Sequence, residues 1–131
     1  MCCQAVIPGM RERRGGRIVN IGSIIGKNGG NARPWLDPSE QDRSSNIAYG
    51  ASKAGVHALT QSLAEELKGD NVTVNAVLPS IIDTPANRAD MPDTDPAIWV
   101  APADLAAVML FLASEAATAV TGALVPVTGR V

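Results

Sequence analysis

Apolar residues along this chain recur at two different spacings. Residues 17–21 (RIVNI), 72–78 (VTVNAVL) and 123–127 (ALVPV) are short runs rich in β-branched side chains. Such runs are apolar enough for strands buried on both faces, as in a parallel sheet. Elsewhere the spacing lengthens to three and four. Val56, Leu59, Leu63 and Leu67 recur at helical intervals across 48–68, and Leu105, Val108, Met109 and Leu112 do so across 102–114. These stripes predict two helices with one face on a core. Residues 3–14 read as a further helix despite Pro8, broken by Gly15-Gly16. Strands alternating with helices predict an α/β fold.

The boundary residues refine this picture. Ser45 or Asn46 is expected to cap the long helix, and Gly69 to close it. Pro102 suits a first helical turn. Pro126 places the last strand at a sheet edge or near its own end. Two segments are polar and turn-rich, 27–45 (KNGGNARPWLDPSEQDRSS) and 80–101. Loops this long in a compact domain serve a site or are disordered.

Composition then narrows the classes. The chain has 131 residues, room for one domain. It is 46% hydrophobic and only 3% aromatic, so the core must be built from Ala, Val, Ile and Leu. So few rings offer no stacking platform for bases, and a net charge of −2 gives no pull toward nucleic acid. There is no apolar run of about 18 residues, so no membrane span is expected. The first residues do not read as a secretory signal, and the expectation is cytoplasmic. Cys2 and Cys3 are adjacent, a poor spacing for a disulfide framework, and with a single His no metal site is expected.

Tyr49 and Lys53 lie four apart in the long helix and project from one face. A phenol is a poor acid or base at neutral pH, but a neighbouring ammonium stabilises its phenolate, and a helix N-terminus adds positive potential. Such a pair can move a proton onto or off an alcohol or carbonyl oxygen. On spacing alone, a surface Tyr beside a solvated Lys is the commoner meaning. Ser23 follows the first strand, at the end where α/β sheets place their ligands, although a turn-forming Ser is the simpler meaning. His57 is the only histidine and is expected to be packed or at the surface rather than catalytic. Arg11, Arg13, Arg14 and Arg17 read as a solvated helix end, and Trp35 as a pocket cover or loop anchor.

Taken together, GRIVNIGS at 16–23, YGASK at 49–53, AGVHALTQSLAEEL at 54–67 and VTVNAVLP at 72–79 resemble the short-chain dehydrogenase/reductase family. The resemblance runs across nearly the whole chain in the family's order. It implies a Rossmann-like, doubly wound parallel sheet. It also implies hydride transfer between NAD or NADP and a small-molecule carbonyl or alcohol, or a related C=N group. In the resemblance, Ser23 polarises the substrate oxygen, and Tyr49 is the acid for reduction or the base for oxidation. Lys53 stabilises the Tyr49 phenolate and bonds the nicotinamide ribose, while Pro79, Ile82 and Thr84 line the carboxamide. Residues 83–100 are also similar to the matching region of dihydropteridine reductases. Family members commonly pair through the helix before the Ser strand and the Tyr-Lys helix, which implies a homo-oligomer, a dimer or a tetramer.

The departures define the expected domain. No two glycines are separated by a single residue, so the Gly-x-Gly turn that cradles a pyrophosphate is not in this sequence. Pro79 is followed by Ser80 where the family often has Gly. The stretch between Ser23 and Tyr49 is longer than is common in the family, which implies an insertion around 31–45. Residues 1–131 are therefore expected to form a single partial domain, the catalytic half of an incomplete sheet whose dinucleotide-binding half would precede residue 1. The alternative is a truncated, catalytically inactive fragment that acts only in oligomerisation or binding. A bare sheet edge is expected where the missing half would pair.

Overall fold

The computed structural model describes residues 2–28 and 44–131. Three parallel strands form one sheet in the order β1-β2-β3, with β1 at Gly16–Ile21, β2 at Val72–Pro79 and β3 at Leu124–Val127. Gly16 pairs with Val72 and Ile21 with Val77; Ala76 pairs with Leu124 and Pro79 with Val127. The strands are parallel, so their carboxyl ends lie at one edge. β2 is central and every one of its residues is buried, including the polar Thr73 and Asn75, as expected for a strand covered on both faces. Pro126 is exposed on the edge strand β3, where a missing N–H costs least. Among the described residues β1 pairs only with β2, which leaves its other edge bare.

Helices cover both faces. The α1 helix (Cys2–Arg13) and the α3 helix (Ser44–Leu67) pack on one of them, where Ile18, Val72 and Val74 meet Ala64 and Leu67, with Cys3, Ile7 and Met10 alongside. The α5 helix (Pro102–Ala113) covers the other, where Leu105 and Leu112 meet Val77 and Val100, with Val19, Val108, Met109 and Val125 alongside. Side chains alternate between faces along a strand, so β2 sends residues 72 and 74 to α3 and residue 77 toward α5. The expected double winding is therefore present in this three-stranded sheet.

Several boundaries differ from the sequence expectation. The α3 helix begins at Ser44, so Ser45 and Asn46 lie inside it rather than capping it. Apolar spacing does not register an extra turn of polar residues that tolerate helix. Gly69 does not close α3. It sits within a 3-10 turn, Lys68–Asp70, and the left-handed residue is Asn71 at φ 57°. Asn tolerates that conformation, and its Nδ2 donates to the Arg14 carbonyl at 3.2 Å. Similarly, the chain turns after α1 at Arg14 (φ 57°) rather than at the glycine pair.

The buried stripe of α3 is also rotated from the apolar one. His57, Thr60, Ala64 and Leu67 are buried, while Leu59 is exposed and Val56 and Leu63 are half-buried. Arg11 is paired with Asp70 at 2.8 Å and Glu66 at 2.9 Å, and Arg17 donates to Thr118 at 3.0 Å. The basic cluster thus ties α1 and β1 to their neighbours instead of being merely solvated. No helix among the described residues is long and apolar enough to cross a membrane. Trp35 lies outside the described residues, as does most of the insertion expected around 31–45.

Candidate active site

The carboxyl edge of the sheet gathers the residues singled out in the sequence. At the end of β1, Gly22 N–H still donates to Val77 across the ladder at 2.8 Å. The next residue, Ser23, has left the sheet and is buried. Its hydroxyl accepts the Ile25 N–H at 3.3 Å, and its carbonyl accepts the Gly26 N–H at 3.1 Å. These bonds start the α2 helix (Ile24–Asn28), a short element that the sequence pattern does not predict.

Tyr49 and Lys53 stand on α3 as their spacing predicts. The Lys53 ammonium lies 5.6 Å from the centre of the Tyr49 ring. It also donates to the Ile21 carbonyl, the last of β1, at 3.1 Å. One side chain therefore touches both the phenol ring and the strand that leads to Ser23. Tyr49 is 43% exposed, so its ring is open to a ligand. Among the described residues no hydrogen bond joins the hydroxyls of Ser23 and Tyr49. The α3 helix meets β1 again at Thr60, whose hydroxyl accepts from Asn20 Nδ2 at 2.9 Å.

Sequence reasoning set His57 aside, yet it occupies the centre of this junction. The ring is buried, and its Nε2 accepts the Ser23 N–H at 3.3 Å. Burial, and then the positive charge of Lys53, push the imidazole pKa below its ordinary value. The signal available in the sequence was its place one turn after Lys53, on the same helix face.

Beyond β2 the chain is more ordered than its prolines suggest. Pro79 is buried at the strand end, and Ser80 Oγ donates to the Thr128 carbonyl at 2.9 Å. Ile82 bridges to Val100. Thr84 caps the α4 helix (Pro85–Asp90) by accepting the Asn87 N–H at 3.2 Å. Asn87 Nδ2 returns to the Ile82 carbonyl at 2.7 Å. Asp83 is held by Arg88 at 2.6 and 2.8 Å, which keeps its carboxyl below the usual carboxylate range. Pro79, Ile82 and Thr84 therefore belong to one braced segment at the carboxyl edge.

Known proteins share this fold. A family model described as enoyl-(acyl carrier protein) reductase matches residues 1–129. The chain belongs to the short-chain dehydrogenase/reductase family. It is 39% identical to a galactitol 2-dehydrogenase from Rhizobium johnstonii over 96% of this chain and 49% of that protein. It is 36% identical to a 3-oxoacyl-[acyl-carrier-protein] reductase from Pseudomonas aeruginosa, again over 96% of this chain and 49% of that one. A crystal structure of a 3-oxoacyl-[acyl-carrier protein] reductase with bound NAD from Brucella melitensis superposes with a TM-score of 0.74 at 34% identity, over 99% of this chain and 46% of that one. This short-chain dehydrogenase/reductase chain thus spans about half the length of the relatives it matches.

Proposed function

We propose that this chain supplies the proton-transfer half of an NAD(P)-dependent oxidoreductase that interconverts a small-molecule carbonyl and an alcohol. Ser23, Tyr49 and Lys53 are its catalytic group. The observation that carries this reading is the position of the Lys53 ammonium, against the Tyr49 ring and bonded to the carbonyl that ends β1. In reduction, Tyr49 Oη gives its proton to the substrate oxygen as negative charge develops there; in oxidation it takes the proton back. The Lys53 charge stabilises the phenolate that remains. Ser23 Oγ uses its lone pair on Ile25 N–H, so its own proton stays available to the substrate oxygen.

The donors at this edge fit the nicotinamide end of a dinucleotide. An ammonium has three protons, and one of those on Lys53 is used by Ile21, leaving two for ribose hydroxyls. Thr84 uses its oxygen as a helix cap and keeps its proton for a carboxamide oxygen beside Pro79 and Ile82. When bound, the nicotinamide supplies or accepts the hydride. The NAD in the Brucella relative supports this cofactor class, and NADP is the other candidate.

The test is turnover of a panel of ketones and secondary alcohols with NADH, NADPH and their oxidised forms. In a form that also carries a dinucleotide-binding half, Tyr49→Phe should lower turnover by about 10²–10⁴-fold, the usual contribution of a positioned general acid, while sparing cofactor binding measured by fluorescence. Unchanged turnover would remove Tyr49 from the reaction.

A second reading concerns assembly. An apolar groove of about 590 Å³ runs between α1 and α3, lined by Cys3, Ile7, Pro8, Leu59 and Leu63. It favours pairing of two copies along these helices. Sedimentation should give a dimer or tetramer that Leu59→Glu shifts toward monomer.

A further inference from the structure

The Ser23 amide poses a problem that the fold solves in an unusual place. The residue before it, Gly22, still bonds Val77, but Ser23 N–H has no strand beside it and lies in a buried turn. A buried amide without an acceptor is costly, commonly about 1–3 kcal/mol. Its acceptor is not backbone or water-facing hydroxyl but the imidazole Nε2 of His57, at 3.3 Å. An amide N–H can donate only to a ring nitrogen with a lone pair. The ring is therefore neutral, with its proton on Nδ1.

The turn is shaped around that ring. A Cβ on Gly22 would meet His57 Nε2 at 2.5 Å and Cδ2 at 2.8 Å. A Cβ on Gly26 would meet His57 Cε1 at 2.8 Å and the α3 backbone at Ala54 N, also at 2.8 Å. Glycine on either side of Ser23 lets the imidazole enter the turn. One turn earlier on α3, Lys53 holds Ile21. The same helix face thus carries the pair that reads as the proton donor and the group that holds the Ser23 turn.

We propose that His57 is a positioning residue that sets Ser23 relative to Tyr49 and Lys53, and that it releases the Ser23 turn when its ring is protonated. The proposal rests on the functional reading of Ser23 above. Protonation turns Nε2 into a donor facing a donor, so the bond to Ser23 N–H is lost. Among the described residues, Lys53 is the charged group near the ring. The β2 strand has no titratable side chain, α2 has only the exposed Lys27, and β1 has only Arg17 at its opposite end. Burial disfavours the protonated form, and the positive charge of Lys53 acts in the same direction. The switch therefore operates below the ordinary histidine range.

The first test is an NMR titration of this chain, in which the single histidine makes the ring signals unambiguous. At neutral pH the His57 Nε2 shift should be that of an unprotonated acceptor. The Ser23 amide shift should move with the ring on acidification, with one shared midpoint below 6.5. A Ser23 amide that ignores the ring titration, or a ring protonated on Nε2 at neutral pH, overturns the proposal.

The second test uses turnover. His57→Gln places an amide oxygen at similar reach, accepts the same N–H and cannot titrate. It should keep kcat within about threefold and lose the acid limb that the wild type shows. His57→Leu should lower kcat by about 10–100-fold, as expected for a misplaced group, with cofactor KM unchanged. Equal pH profiles for wild type and His57→Gln overturn the switch. If Ser23→Ala keeps full turnover while the Ser23 amide still follows the ring, the catalytic reading of Ser23 falls and the His57 contact stands.

Discussion

The ammonium of Lys53 donates to the Ile21 carbonyl at 3.1 Å, joining the α3 helix to the last residue of β1. This bond makes Lys53 a strut as well as a charge. Lys53→Met removes both and should lower turnover by about 10²–10⁴-fold, in the range of a lost acid–base partner. The fold should lose only about 0.5–1.5 kcal/mol, the net worth of one hydrogen bond. Lys53→Arg keeps charge but replaces a compact ammonium with a planar fork, and should not restore the rate. Paired kinetics and urea unfolding separate the two roles; a rate loss that tracks the stability loss would deny Lys53 a part in the chemistry.

Two glycines on facing helices should respond oppositely to the same change. At Gly26 a Cβ would meet the α3 backbone at 2.8 Å from Ala54 N and 2.9 Å from the Lys53 carbonyl carbon. Gly26→Ala must push α2 off α3 and should cost about 1–3 kcal/mol. At Gly55, inside α3, an added Cβ would meet nothing beyond its own helix backbone and chain neighbours within 4 Å among the described residues. Gly55→Ala should stabilise by about 0.4–1 kcal/mol, because alanine loses less backbone freedom in a helix. Urea midpoints measure both; shifts of the same sign would mean the α2–α3 contact is looser than described.

Asn75 is fully buried in β2 and bridges the chain just before β3 in both directions. Its Nδ2 donates to the Val120 carbonyl at 2.8 Å, and its Oδ1 accepts the Ala123 N–H at 2.9 Å. Asn75→Leu orphans two backbone groups and should cost roughly 2–4 kcal/mol, given about 1–3 per group before relaxation. The loss should appear as faster amide exchange at 120–124 ahead of the rest of the sheet. Uniform exchange across the chain would mean that this bridge does not hold the segment locally.

The lowered pKa of His57 has a consequence for stability. The unfolded chain takes up the imidazole proton near the ordinary value of 6.5, while the folded chain still refuses it. Protons are then bound preferentially by the unfolded state, so stability falls as pH drops below 6.5. The decline from this group stops once the folded ring is protonated as well. Urea unfolding between pH 7.5 and 5 should show the slope, and His57→Gln should flatten it. An equal slope in both proteins would assign the acid sensitivity to other groups.

Much of this was legible in the sequence because the relevant signals are local. The apolar runs at 17–21, 72–78 and 123–127 correspond to the three strands within about one residue, and the spacing of Tyr49 and Lys53 put them on one helix face. Tertiary choices were not legible. Leu59 fits the apolar stripe, yet it lines a groove while His57 and Thr60 are buried, because their polar atoms meet the end of β1. The prolines of 80–101 suggested a loop, but Pro85 and Pro96 instead open helical turns capped by Thr84 and Asp95. Proline marks a helix start as readily as a loop, and only the cap tells them apart.

Gly129 gives the far end of the chain a say in the site. Its backbone is left-handed at φ 62°, and a Cβ there would meet the Ile98 carbonyl at 2.8 Å. Beside it, Arg130 N–H donates to that same carbonyl at 2.9 Å. Residues 98–100 in turn hold Ile82 through the bridge at Val100. The segment after β2 is therefore latched from both of its sides, by its own start and by the chain's last turn. A single methyl group at position 129 would press on that latch from outside the sheet, so changes near residue 129 can reset the shape of the sheet's carboxyl edge without touching Ser23, Tyr49 or Lys53.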